Sequence, residues 1–210
     1  MSRGWEKISG FPGEGRHRGR SKLLNVFHFG FETWEELGPA ALLMNSAEIV
    51  QFRSLDRGTY RPYARALRKI EQEESFHYHH ALDLTHQTMT YGIHDQRLLV
   101  QNAFDTWLPR VLAYFGPPDP DAHTKPVYRF GTKVDLNEDL RQSRLAKIIP
   151  TFEDLGVYVD PASAHYAEDA QTWTHAPIDW VEVRRLLNEG GPRAQDWRPG
   201  GADRRRSRRR

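Results

Sequence analysis

Apolar residues recur with a helical period along most of the chain from about residue 33 onward. The pattern predicts four long helices and a shorter fifth, bounded by a candidate N-cap threonine and by prolines and glycines. Only two short segments have a β-type pattern, so the sequence predicts an all-α protein. The predicted helices are Thr33–Leu55, Pro62–Thr90, Asp95–Phe115, Asn137–Leu155 (bent or broken at Pro150) and a short one that starts after Asp179 and stops at Gly190–Gly191. The strand candidates are Val127–Phe130 and Val157–Val159.

The second predicted helix carries an acid and a histidine on its apolar face. Glu74 falls inside an arc of roughly 100°, the width of a stripe that faces a core. His77 follows three residues later and shares that face. Burial of a carboxylate without a partner is costly, so we expect a compensating group. The other members of this stripe are Tyr63, Ala66, Leu67, Ile70, Ala81, Leu84 and Thr88.

The first predicted helix also carries an acid on its apolar face, since Glu48 falls in the middle of the apolar stripe. Asn45 lies at the edge of this stripe. Four-helix di-iron and di-manganese proteins take one Glu from each of two helices and a Glu-x-x-His from each of the other two. Carboxylate and imidazole ligands of this kind suit iron or manganese. Glu48, Glu74 and His77 are therefore candidate metal ligands, about half of such a set. The stripe of the first helix consists of Trp34, Leu37, Ala41, Met44, Phe52 and Leu55.

The same residues allow a purely structural interpretation, because Glu-x-x-His occurs often by chance. Glu74 and His77 would then form a buried hydrogen-bonded pair, or Glu48 would form an ion pair with His77 across the two helices. Glu73 and His80 lie just beyond the edge of the stripe. Together with Asn45, they are candidates for groups that orient a metal ligand without binding the metal.

Several segments in sequence order carry a specific resemblance. The main one is RGTYRPYARALRKIEQEESFHYHHAL, which surrounds the Glu-x-x-His. Together they resemble the catalytic, ferritin-like subunit of the phenylacetyl-CoA epoxidase complex, over roughly residues 23–192. The segments are Leu23–Val50, Arg57–Leu82, Trp107–Asp119, Asn137–Pro161 and Asp179–Pro192.

The resemblance implies a ferritin-like helical bundle and an enzyme of aerobic phenylacetate catabolism. In that family a di-iron centre activates O₂ and inserts one oxygen atom into the ring of phenylacetyl-CoA, which gives a 1,2-epoxide. The implied partners are a structural ferritin-like subunit, a small subunit, and an NADPH-dependent flavin and iron–sulfur reductase. An aryl-CoA substrate would need basic contacts, for which Arg53, Arg65, Lys69 and Arg141 are available.

The chain departs from the family pattern in two respects. The family chain is longer, and we expect this one to lack the first two ligand-bearing helices. Asn45 stands where the family has an aspartate, a better iron ligand, and Glu48 one turn later is our candidate replacement. Three interpretations stay open: a fragment or split subunit completed by another polypeptide, a non-catalytic structural or assembly subunit, or a site built across a homodimer.

Charge is distributed unevenly along the 210 residues. Residues 1–22 carry six Lys and Arg, and residues 201–210 carry six Arg, whereas residues 23–200 hold 18 basic and 25 acidic residues. We therefore expect disordered basic ends at 1–22 and 193–210 around one folded domain at 23–192. A nucleic-acid partner is not indicated, because the basic charge lies in these ends.

The absence of cysteine excludes disulfides, iron–sulfur clusters and thiol nucleophiles from this chain. No apolar run approaches the roughly 20 residues of a membrane span, and no signal peptide is visible at the N-terminus. The expected location is the cytoplasm.

Overall fold

The structure is a computed structural model that describes residues 24–192. The two basic ends predicted to be disordered, 1–22 and 193–210, lie outside the described residues. The prediction of an all-α protein is confirmed, since helices dominate residues 24–192 and the one sheet there has two short strands. The elements are α1 Leu37–Asp56, α2 Arg61–Tyr91, α3 His94–Leu112, α4 Pro126–Arg129, α5 Asn137–Asp154, β1 Ala164–Ala167, β2 Thr172–His175 and α6 Trp180–Glu189.

The larger of two compact units spans Gly30–Trp180 and is organised around α1. This helix packs against α2, α3 and α5, and most of its residues are buried. Gly38 approaches α2 closely, since an added Cβ would lie 2.9 Å from the Thr85 hydroxyl. Phe104 of α3 and Phe152 of α5 meet in the core with ring centroids 4.6 Å apart. α1 thus packs against the acid-bearing α2 as well as against α3 and α5.

The smaller unit contains the described residues up to Phe29 and those from Val181 onward. A 3₁₀ turn at Asn25–His28 and most of α6 form it. The amide of Gly191 donates to Nδ1 of His28 at 3.1 Å, and Leu186 is buried. These contacts tie the segment after α6 to the segment that precedes the larger unit.

Both strand candidates from the sequence are wrong. Residues 127–129 fall on the short helix α4 and Phe130 is its C-cap, because Pro126 at the first position of α4 is pre-organised for helix. Residues 157–159 form a loop in which the Tyr158 amide donates to Gln101 Oε1 at 2.9 Å, so this segment bonds to α3 instead of to another strand. The actual hairpin pairs β1 and β2 antiparallel and contacts α5, where Gln142 accepts a bond from the Trp173 amide.

The helix boundaries agree with the prediction to within a few residues, with two corrections. The first helix begins at Leu37, because Thr33 accepts a bond from the Glu36 amide in a preceding turn instead of capping the helix. α5 continues past Pro150 to Asp154 without a break. None of the helices in residues 24–192 is long and apolar enough to cross a membrane.

Gly156 ends α5 in a backbone conformation that other residues adopt at a cost. Its φ is +81°, and its amide donates to the Glu153 carbonyl at 2.9 Å. We expect Gly156→Ala to lower the free energy of unfolding by about 1–2 kcal/mol, because a Cβ disfavours the left-handed region. Urea unfolding of the chain measures this. Gly156→Asn should cost less, since asparagine tolerates that region better, and equal losses would contradict the backbone explanation.

Candidate metal centre

The two acids singled out in the sequence face each other across α1 and α2. Glu48 of α1 and Glu74 of α2 are close enough for a hydrogen bond between their carboxyl groups. Burial, then the charge of Glu74, then that hydrogen bond raise the pKa of Glu48 to about 7. Two carboxylates that share one site cannot both ionise freely. The pair therefore retains a proton near neutral pH.

His77 extends the pair along α2. Its Nδ1 lies 3.3 Å from Oε2 of Glu74, with the imidazole 56% exposed and the Glu74 side chain 19% exposed. This is the Glu–His contact of the structural interpretation, although it lies at the surface and not in the core. No ion pair joins Glu48 to His77 among the described residues. The second nitrogen, Nε2, takes no part in the contact with Glu74 and is the atom available to a metal.

Tyr114 is a site residue that the sequence analysis did not identify. It lies in a 3₁₀ turn directly after α3. Burial raises the pKa of its phenol, and the charges of Glu48 and Glu74 raise it further. The phenol is therefore near both acids and stays protonated at any ordinary pH, so it can donate a hydrogen bond. Its position more than 60 residues from Glu48 gives no local sequence signal.

The faces that carry the acids are more open than the stripe pattern predicted. On α2, Tyr63 is 47% exposed and Ile70 is 39% exposed, whereas Leu67 and Ala81 are buried. On α1, the residues of the stripe around Glu48 are half-buried. The fully buried residues of α1 lie on the adjacent side of the helix. The prediction that both acids point into a closed interior is thus wrong for the described residues, because nothing among them covers these faces completely.

The residues proposed to orient ligands fall in different environments. Asn45 is buried on α1 one turn before Glu48, whereas Glu73 and His80 are exposed on α2. Their supporting role stays a prediction. Asn45 is the best placed of the three, because it is buried on the helix that carries Glu48.

The four basic residues proposed to contact CoA differ in their exposure and in their partners. Arg141 is 1% exposed and donates to the carbonyl oxygens of Leu112 at 3.1 Å and Gly116 at 2.7 Å, so it holds the end of α3. Arg53 pairs with Glu71 at 2.6 Å. Arg65 and Lys69 are exposed on α2. Of the four, these last two are the freest to meet an anionic substrate.

The donor set fits part of a metal centre. Two carboxylates and an imidazole are ligand types that bind iron. The acid pair holds a proton, so a positive charge is favourable at this position. Residues 24–192, however, contain no group of three or more His, Asp or Glu side chains placed to hold a metal ion. The described residues provide a pair of acids with a neighbouring histidine, not a complete site.

Comparison with known proteins identifies the family. The model of the phenylacetic acid catabolic protein family matches residues 13–192. The chain belongs to this family. It is also similar to one subunit of the 1,2-phenylacetyl-CoA epoxidase of Escherichia coli strain K12, with 29% identity over 174 residues. The match covers 82% of this chain and 56% of the relative, so the chain spans about half of the relative's length. The resemblance inferred from the sequence is confirmed.

The raised pKa of Glu48 predicts a pH-dependent stability of the metal-free chain. A folded pKa of about 7 against an ordinary value of 4.5 means that the group's full contribution is present below pH 4.5 and is lost as the pH rises through 7. The loss should be on the order of 1–2 kcal/mol after allowance for solvent screening of this partly exposed group. Urea unfolding between pH 4 and 8 measures it.

Glu48→Gln should remove most of this slope, because glutamine does not ionise. Glu153→Gln, which changes the charge equally at an exposed position of α5, should leave it intact. A slope that persists in Glu48→Gln would show that another group titrates.

Proposed function

We propose that this chain is a component of an aryl-CoA oxygenase of the 1,2-phenylacetyl-CoA epoxidase type, acting in aerobic phenylacetate catabolism. Family membership supports a role in that pathway, and the similarity to the E. coli epoxidase chain supports the reaction class. The observation that carries the proposal is the acid pair of Glu48 and Glu74 across α1 and α2, with His77 three residues later.

In this proposal Glu48, Glu74 and His77 hold iron, which when bound supplies O₂ activation. The two carboxylates balance the charge of the metal, and His77 contributes one ring nitrogen. Because Glu48 holds a proton near neutral pH, iron loading should release it. The protonated phenol of Tyr114 lies near both acids and is our candidate for the hydrogen-bond donor that orients them. Asn45 supports the α1 side of the site, and Glu73 and His80 are the candidates on α2.

The remaining ligands would come from outside the described residues. Another polypeptide or a second copy of this chain would place further ligand-bearing helices on the open faces of α1 and α2. The proposed partners are a structural ferritin-like subunit, a small subunit, and an NADPH-dependent flavin and iron–sulfur reductase. The proposed substrate is an aryl-CoA thioester, whose anionic groups would contact Arg65 and Lys69. The proposed location is the cytoplasm.

Anaerobic titration with Fe²⁺ tests the proposal. The purified chain is titrated alone and together with the structural subunit; mass spectrometry measures bound iron, and light scattering gives the oligomeric state. We expect weak iron binding by the monomer and stoichiometric binding by the assembly. Glu48→Gln should lose it, whereas Asp83→Asn, an exposed acid on α2, should not. Equal iron binding by Glu48→Gln and the unchanged chain would contradict the assignment.

A non-catalytic structural or assembly subunit is the second candidate. The lack of a three-ligand cluster among residues 24–192 and the exposure of His77 favour it. This alternative predicts a stable complex that binds no iron at Glu48 and Glu74 in any combination of subunits. Addition of the reductase, NADPH, O₂ and phenylacetyl-CoA then separates the two functions, since only the first yields an oxygenated product.

A further inference from the structure

A cavity of about 210 Å³ opens between α1, α2 and α5, beside the acid pair but on a different face of the helices. Ser75 on its wall directly follows Glu74, and Ile49 directly follows Glu48. Successive helical residues point about 100° apart, so the cavity and the acid pair occupy different sides of α1 and α2. The residues proposed to bind iron do not line it.

The lining of the cavity combines an apolar body with basic groups. Ile49, Val50, Ile148 and the ring of Tyr78 supply the apolar wall. The charged or titratable lining residues are Arg53, His79, Arg144 and Lys147, and no acidic residue of the described chain lines it. Arg53 is paired with Glu71 at 2.6 Å, whereas Lys147 has no ion pair within residues 24–192. The charge of the wall is complementary to an anion.

Arg144 is the most unusual group of this wall. It is fully buried on α5 and has no carboxylate partner among the described residues. Its Nε donates to the Ser46 hydroxyl at 3.3 Å and its Nη2 to the Leu43 carbonyl at 3.2 Å. Its Nη1 is buried without any hydrogen-bond partner there. Burial, then the charge of Arg141, lower the pKa of Arg144 to about 9.

An arginine in this condition is costly to the fold, because a buried charge normally requires an opposite charge or a full set of hydrogen bonds. A bound oxyanion would provide both, since guanidinium pairs with carboxylate through short, charge-assisted hydrogen bonds. The volume lies below the roughly 300–1,000 Å³ of pockets for drug-sized ligands, so the occupant is small. The apolar wall further favours an organic body over a bare inorganic ion.

We propose that this cavity binds a small organic monocarboxylate, with its carboxylate on Arg144 and its apolar body against Ile49, Val50 and Ile148. The inference does not depend on the proposed function, because it concerns a different face of the helices and requires no iron. The carboxylate would also provide a hydrogen-bond acceptor for Nη1 of Arg144, which has no partner among the described residues.

Isothermal titration calorimetry of the full chain tests this inference. The ligands are benzoate, its neutral analogue benzamide and inorganic phosphate. We expect saturable binding of benzoate, with benzamide and phosphate at least about tenfold weaker, as the loss of a charge-assisted pair or of apolar contact implies. Absence of saturable benzoate binding up to about 10 mM would overturn the proposal. Equal binding of benzamide or of phosphate would overturn it as well.

Variants locate the site. Arg144→Met should weaken benzoate binding at least about tenfold, and Arg144→Lys less, because lysine keeps the charge but not the planar fork. Ser75→Leu, which fills the cavity and leaves Arg144 unchanged, should also abolish binding and carries the test if Arg144→Met does not fold. Arg97→Met, the same change at an exposed position outside the cavity, should bind like the original chain. Unchanged benzoate binding in folded Arg144→Met or Ser75→Leu would refute the assignment.

Discussion

Glu74→Leu should stabilise the metal-free chain and, in the assembled protein, remove iron binding. Without metal, Glu74 contributes a charge and a hydrogen bond that hold a proton on Glu48. Replacing one member of a crowded carboxylate pair by an apolar group relieves this repulsion, which we expect to add about 1 kcal/mol to the free energy of unfolding at pH 8. With metal, the same change deletes a ligand and should lower iron affinity by more than about 100-fold.

The opposite signs make the pair of measurements decisive. Urea unfolding of the metal-free chain gives the first, and iron titration of the assembly gives the second. Glu74→Gln should act in the same directions, and Asp83→Asn should change neither quantity. Strong destabilisation of the metal-free Glu74→Leu chain would instead show that Glu74 belongs to a satisfied hydrogen-bond network with His77. The iron assignment would then lose its structural support.

The helices of this protein follow from the hydrophobic period, but the degree to which their faces are covered does not. The stripe on α2 correctly placed Glu74 and His77 on one face. The distance of 3.3 Å between Oε2 of Glu74 and Nδ1 of His77 confirms that the two side chains are adjacent. A stripe, however, states only which residues share a side of a helix. Tyr63 and Ile70 on that side are substantially exposed, because coverage depends on what packs there from elsewhere.

The same limit explains what the sequence did not reveal about α5. Arg141 and Arg144 lie between Leu140 and Ile148 at helical spacing, a signal of the same kind as Glu74 on α2. Arg141 is satisfied by carbonyl oxygens at the end of α3, whereas Arg144 is left with a buried unpaired nitrogen. Partners from distant parts of the chain decide between these outcomes. The proximity of Tyr114 to Glu48 and Glu74 arises from the same kind of long-range packing.

Phe104→Ala should have the largest effect on stability of any substitution considered for this chain. Phe104 is fully buried on α3, and its ring centroid lies 4.6 Å from that of Phe152 on α5. Truncation of a buried phenylalanine removes transfer free energy and leaves a cavity, so we expect a loss of about 3–5 kcal/mol. A typical domain has only about 5–15 kcal/mol in total, so the variant would be near its unfolding limit.

Urea unfolding at constant pH measures this loss, and Phe76→Ala provides the matched control. Phe76 is 71% exposed on α2, so its truncation should change the free energy of unfolding by no more than about 0.5 kcal/mol. Phe104→Leu should fall between the two, because leucine refills most of the volume. Since α1 packs against both α3 and α5, loosening their contact should also disturb the helix that carries Glu48. A loss below about 1 kcal/mol for Phe104→Ala would contradict the placement of the core between α3 and α5.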